Sequence, residues 1–454
     1  MRNGKRYDRG SGGGLGVLLV LGCLVLAAVF FLRQPEGTGD AGTRETSLSE
    51  DMAGSGERGN TQEGDSASEA EGLEAEASGE SSAAAEMLGG ASTGAESEGS
   101  VESSVISEAE TSLQEVEALI AEMTLREKVY QLFIVYPSSI TGIRKVTQAG
   151  EKTREALENY PVGGLLYDKS NMVSQEQVRT MMETVQSYAR IPLILTCDEE
   201  GGRVNRLMDT VGTTRVGPMY EYREEGPEGA ERNAGTIAAD LSACGFNMDL
   251  APVADVWSNP DNTVIGDRAY SDDFEQAAEL VAAAVRGFRE NGVACTLKHF
   301  PGHGDTSGDS HNGSVYVYKT LEELRAQELI PFQAGIDAGA DAVMMGHLII
   351  ADVEDEPALF SYRLVTELLR EEMGFAGVVM SDSLQMKAMT KHYDSGEIAV
   401  KAVKAGVDVL LCPEDLEEAA DALIAAVESD EITQERLEES VRRILTLKYK
   451  CGLL

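Results

Sequence analysis

Cysteine is sparse and unpaired in pattern. The six occur at 23, 197, 244, 295, 412 and 451, with no C-x-x-C among them. That spacing argues against a disulfide framework, and the apolar runs around Cys197, Cys295 and Cys412 point to buried thiols. Basic charge is also scarce, with 38 Lys+Arg against 78 Asp+Glu and a net of −40. Phosphate binding needs clustered Lys and Arg, so neither nucleic acid nor an anionic membrane surface is expected as a partner of the main domain. Histidine occurs only five times and never before position 299. Residues 34–110 lack aromatic side chains altogether.

The charge that is present divides the chain. Arg2, Lys5, Arg6 and Arg9 precede an uncharged apolar run from Leu15 to Leu32. As a helix this run would span about 27 Å, close to hydrocarbon thickness. No small-x-small cleavage site follows. The expected arrangement is a cytoplasmic segment 1–14 and a single-pass signal anchor at 15–32, with the rest of the chain outside the cell. A rival reading takes Val20-Leu21-Gly22-Cys23 as a lipoprotein-like box and makes the protein secreted or lipid-anchored. Against it, the apolar run continues well past Cys23. Residues 33–110, rich in Gly, Ser, Ala and Glu, bury too little apolar surface to offset ordering entropy and are expected to form a disordered acidic linker.

From 111 to 454 short apolar runs alternate with helical patterns. The expected strands are Gln131–Tyr136, Gly163–Asp168, Leu193–Cys197, Phe246–Val253, Ala294–His299, Ala342–His347, Gly377–Ser381 and Asp408–Cys412. Between them lie amphipathic stretches such as Ser174–Ala189, Asp273–Asn291, Leu321–Ala338, Ser361–Met373 and Ser383–Ala405. Ser361 is placed to cap its helix and Gly374 to end it. Eight such units with no second block of strands predict an α/β fold, a single (β/α)8 barrel, with a doubly wound open sheet as the alternative. Barrel chemistry gathers at the carboxyl ends of the strands. There the sequence reads Asp198-Glu199-Glu200-Gly201-Gly202-Arg203, Lys298-His299, His347 and Ser381-Asp382.

Residues 298–311 hold three histidines and two aspartates on a loop that proline and glycine keep from becoming a helix. His299 and His303 are four apart, but Pro301, Gly302 and Gly304 prevent the helix that would align them as metal ligands, so no metal is expected. Asp309 and His311, two apart, share a side if extended, and a carboxylate beside an imidazole tunes it for proton transfer. The alternative is that both only brace the loop. For His303 a turn-shaping role is favoured. Asp382, ending an apolar strand, is a nucleophile, a ligand or a cap for the following helix. His347 is either a pocket residue or a packed one.

The stretch Lys298–His311 resembles the Lys-His-Phe-Pro-Gly-His-Gly-Asp-Thr-x-x-Asp-Ser-His signature of glycoside hydrolase family 3. Within that family the likeness is to the β-N-acetylglucosaminidases that recycle bacterial cell wall. Asp198–Arg206, Asn262–Tyr270 and Ser381–Met386 resemble further segments of the family, and the likeness covers about 111–454. It implies Asp382 as nucleophile, His311 polarised by Asp309 as acid/base, and Asp198, Arg206, Arg268, Lys298 and His299 as sugar-binding residues. Departures are Ser383, where many relatives carry Asp, and Glu199, where many carry Gln; both are expected to touch only the binding pocket. The expected function is retaining, exo-acting hydrolysis of terminal β-linked N-acetylglucosamine from peptidoglycan fragments or other N-acetylglucosamine-containing glycans, by a monomer needing no cofactor. Alternatives are phosphorolysis, another β-glycosidase activity of the family, or a catalytically silent wall-binding module.

Overall fold

The computed structural model describes residues 112–308 and 313–454. The expected segments 1–14, 15–32 and 33–110 lie outside the described residues, as do Asp309 and His311. No helix among the described residues is long and apolar enough to cross a membrane.

Among the described residues there are ten strands. They are β1 Phe133–Val135, β2 Gly164–Leu166, β3 Ile194–Cys197, β4 Met248–Asp249, β5 Thr296–Phe300, β6 Val315–Val317, β7 Ala342–Met345, β8 Leu348–Ile350, β9 Val378–Ser381 and β10 Leu410–Leu411. One parallel sheet runs β10-β1-β2-β3-β4 and another β5-β7-β9. Single parallel bridges, Met248 to Ala294 and Met380 to Val409, join the margins of these sheets. These eight strands are buried on both faces, as parallel strands covered by helices must be, which is why each reads as a continuous apolar run. Each falls within an expected run or within two residues of one, but shorter. The expected Phe246–Val253 contributes only two residues to its strand.

The remaining pair, β6 and β8, forms a separate two-stranded parallel sheet absent from the expectation. Two expected helices are also broken. Ser383–Ala405 becomes Lys387–Thr390 and Ser395–Ala405, the second capped by Asp394, so Asp382 caps neither. Leu321–Ala338 divides into Leu321–Ala326 and Leu329–Asp337. As expected, Ser361 Oγ accepts the backbone N–H of Leu364 at the start of the helix over Arg363–Glu372, which is wound as a π-helix. Among the described residues all five cysteines are free thiols, four of them buried.

The last strand is stapled from below. Asp408, just before β10, is fully buried and accepts from Arg370 at 2.5 Å, Arg443 at 3.1 Å, Ser440 Oγ at 2.7 Å and the Val379 amide at 3.0 Å. It thereby ties β9 and β10 to the helix Gln434–Lys450.

That helix also buries Lys448, whose ammonium donates to Gln131 Oε1 at 2.7 Å. No carboxylate offsets its burial, which pulls the amine down to about 7. Above that pH the folded chain sheds a proton the unfolded chain still holds, so stability rises with pH until the unfolded lysine titrates. Lys448→Met should therefore be more stable than wild type at pH 7 by a few kcal/mol, with the gap closing by about pH 10 at about 1.4 kcal/mol per pH unit. Urea unfolding of both proteins across that range checks it; a pH-independent gap would contradict it.

Candidate active site

Strand ends deliver side chains from distant parts of the chain to one cavity of about 470 Å³. Asp198 and Glu200 follow β3, Lys298 and His299 lie on β5, Asp382 follows β9, and Tyr136 follows β1. Arg206, Arg268 and His303 add to the polar wall.

At its floor is a network of fixed charges. The Lys298 ammonium, 2% exposed, lies 3.0 Å from Asp198 Oδ1 and 2.5 Å from Glu200 Oε1. Arg268 grips Glu200 with two parallel bonds of 2.7 and 2.8 Å, and Arg206 meets Asp198 Oδ2 at 2.8 Å. Burial alone would push the Glu200 carboxyl up. The attraction of Arg268 and Lys298 outweighs it and holds the group well below the usual carboxylate range. Burial likewise works against the Lys298 charge, and Glu200 with Asp198 more than restores it. The result is a rigid set of donors and acceptors suited to the hydroxyls of a polar ring.

Asp382 stands across the same cavity. Its Oδ1 accepts the Ser383 amide at 2.7 Å, while its own amide donates to the Met345 carbonyl on β7 at 3.0 Å. Burial raises its carboxyl, but His299, His347, the Ser383 amide and Lys298 together bring it below the ordinary value. It is therefore ionised at neutral pH, the state a nucleophile needs. His347, left open by sequence between a pocket and a packed residue, is packed: it is 2% exposed and its Nε2 donates to the Ser383 carbonyl at 2.9 Å. Its contact steadies the turn that carries Asp382.

One buried aspartate that the sequence reading missed organises the histidine loop. Asp255 Oδ2 accepts the His299 ring Nδ1 at 2.7 Å and the His299 amide at 3.1 Å, and its Oδ1 accepts the His303 amide at 2.7 Å. His299 is thereby fixed with Nδ1–H on the carboxylate. His303 braces the turn, the role favoured for it, and also faces the cavity; its Nδ1 meets Thr306 Oγ1 at 2.8 Å. Flanking glycines are required there: Gly302 has φ +126, and a Cβ on Gly304 would lie 1.6 Å from the Val256 carbonyl oxygen.

The segment carrying Arg268 is held from outside. Arg203 Nη2 donates to the carbonyls of Thr263, Val264 and Ile265, each at 2.9 Å, and its Nε to Asp267 at 3.0 Å. Asn262 Nδ2 then donates to the His303 carbonyl at 2.8 Å, tying this segment to the histidine loop. Glu199 corrects an expectation: it does not line the pocket. It is buried, accepting the amides of Leu207 at 2.8 Å and Met208 at 3.1 Å at the start of the helix Leu207–Val211. Beneath it burial pushes the Asp249 carboxyl well above the ordinary carboxylate value.

Truncating Glu200 would leave Lys298 and Arg268 with one carboxylate fewer in a buried setting. Glu200→Ala should cost about 3–5 kcal/mol in urea unfolding at pH 7. Because the folded carboxyl lies below its unfolded value, this contribution is present above about pH 4.5 and fades as pH falls, so wild type and variant should converge in acid. Equal stability at pH 7 would mean that the network carries no weight in the fold.

The model of the glycosyl hydrolase family 3 N-terminal domain matches residues 124–447. A β-hexosaminidase of Stenotrophomonas maltophilia (strain K279a) is 38% identical over 289 residues, 61% of this chain and 84% of that protein. The solved structure of a family 3 β-N-acetylglucosaminidase from Paenibacillus sp. FPU-7 is 40% identical with a TM-score of 0.69, covering 73% of this chain and 63% of that one. A β-N-acetylhexosaminidase structure from Beutenbergia cavernae is 28% identical with a TM-score of 0.66, covering 72% of this chain and 99% of the other. With its polar cavity, its ionised Asp382 and a match over most of its length, the chain belongs to glycosyl hydrolase family 3.

Proposed function

We propose that the chain is a retaining, exo-acting β-N-acetylglucosaminidase with Asp382 as nucleophile and His311, polarised by Asp309, as acid and base. The observation that carries this reading is the ionised Asp382 carboxylate facing the same cavity as the Asp198–Lys298–Glu200–Arg268 network. The β-hexosaminidase and β-N-acetylglucosaminidase relatives support the sugar class. Asp382 attacks the anomeric carbon as the glycosidic C–O bond breaks, and the departing oxygen takes a proton from His311. The same histidine then removes a proton from water, which displaces Asp382 and restores the original anomeric configuration. Asp198, Arg206, Arg268, Lys298 and His299 hold the terminal sugar, and Asp255 keeps the His299 ring in place.

The eight parallel strands are read as a closed (β/α)8 barrel, supported by the two bridges that join the sheet margins. Peptidoglycan fragments are the proposed natural substrate. That choice goes with residues 15–32 as an anchor and 33–110 as a linker that hold a monomeric catalytic domain outside the cell.

An aryl β-N-acetylglucosaminide should be cleaved with retention, and Asp382→Asn and His311→Ala should each lower kcat by about 10²–10⁴-fold. A variant that keeps wild-type turnover refutes the role given to its residue. The same assay with inorganic phosphate distinguishes reaction types, since sugar-1-phosphate as product would replace hydrolysis by phosphorolysis. Asp255→Asn, which weakens the anchoring of His299, should lower kcat/KM by roughly a hundredfold, the scale of a 1 Å misplacement.

A further inference from the structure

Residues 301–314 lead from the end of β5 to the start of β6 and include Asp309 and His311. One lysine joins the two limbs of this segment. Lys319, two residues past β6, has its side chain 14% exposed. Its ammonium donates to Glu328 Oε1 and to Gln327 Oε1, the latter at 2.9 Å, and lies 3.5 Å from Asp305 Oδ2 on the outgoing limb. Glu328 is the fixed post. Its side chain is 2% exposed and directly precedes the helix Leu329–Asp337. That helix lies hard against β5, since a Cβ on Gly335 would come within 2.6 Å of Leu297 Cδ2. The outgoing limb leans on the same post: a Cβ on Gly302 would lie 2.6 Å from both Cβ and Cγ of Glu328.

Neither local structure nor stability asks for a lysine here. Thr320 caps the following helix with its own hydroxyl, in a capping box with Glu323. A buried ion pair is often no more stable than apolar residues of like volume. This one also leaves Glu328 Oε2 buried with no hydrogen-bond partner among the described residues. What such a pair can supply is register. We propose that Lys319 is a positioning residue for the acid/base step: by spanning Asp305 and Glu328 it fixes the base of the segment that bears Asp309 and His311. The inference rests on the glycosidase reading above. Tying the limbs together shortens the free loop, and a shorter loop loses less entropy when its ends are held. A catalytic group on a loop depends on such support, because a displacement of about 1 Å lowers the rate about a hundredfold.

The test uses the full chain, a dinitrophenyl β-N-acetylglucosaminide and sodium azide. The dinitrophenolate leaves without needing a proton, so Asp382 is glycosylated even where His311 is misplaced, while attack by water still needs a base. Azide needs none: it bonds to the anomeric carbon, the bond to the Asp382 oxygen breaks, and the β-glycosyl azide departs from the freed carboxylate. Lys319→Met should lower kcat by about ten- to a hundredfold. Azide should restore most of that loss, with glycosyl azide as product, and should accelerate wild type little. Lys319→Arg should keep most of the wild-type rate. Lys319→Met leaves Glu328 buried and unpaired, so the double variant Lys319→Met/Glu328→Leu removes both charges and should show the same azide-sensitive loss with a native thermal melt. His311→Ala is the reference and should be restored by azide. Given that, wild-type turnover in the Lys319 variants, or a loss that azide does not restore, overturns the proposal and leaves the glycosidase reading intact. If azide fails to restore His311→Ala, the role of His311 falls, and this inference with it.

Discussion

The buried ammonium of Lys298 sets the terms for everything around it. A cation with 2% exposure is tolerable only if carboxylates meet it, and here two do, Asp198 and Glu200. Each carboxylate then has valence to spare, which Arg206 and Arg268 take up. The chain of alternating charges runs from β5 to the segment after β3 and on to the segment bearing Arg268. Its geometry leaves little slack, because moving any member strands a neighbour in a low-dielectric setting. The floor of the cavity and the cohesion of these three segments are the same set of bonds.

Around that floor, loops are fixed by backbone rather than by side-chain packing. Asp255 holds two amides and an imidazole of the histidine loop, and Asn262 joins that loop to its neighbour. On the far wall, the Met345 carbonyl and His347 fix the turn at Asp382 from β7 and its exit. Asp382 and the charged network across the cavity are thus referenced to the same central strands. Catalysis by positioning requires that kind of common frame.

Much of this was readable in the linear sequence. The eight apolar runs mark the eight strands of the two parallel sheets, since a strand buried on both faces has no reason to alternate. The residues flagged at strand ends, Asp198, Lys298, His299 and Asp382, do meet on one cavity with Arg206 and Arg268. What stayed hidden depends on partners far apart in sequence. Glu200 belongs to the polar segment after β3, but its partner Arg268 lies 68 residues away. Asp255 lies 44 residues from His299, and nothing local distinguishes it from a cap. Glu199 looked like a pocket variant and is instead turned inward onto amides. The break in Ser383–Ala405 escaped notice because Asp394 reads as an ordinary exposed acid until its side chain is seen accepting the Glu397 amide.

Arg203 shows how little of a loop's own sequence need specify its shape. One guanidinium outside the loop reads three successive carbonyls, at Thr263, Val264 and Ile265, and every amino acid supplies a carbonyl. The curvature that presents Arg268 therefore rests on one guanidinium sixty residues upstream and on Asn262, whose Oδ1 accepts the amides of Val264 and Ile265. Where a backbone carbonyl is the contact, the side chain of that residue is free to change, and the wall of the cavity can be retuned there without redrawing the path of the chain.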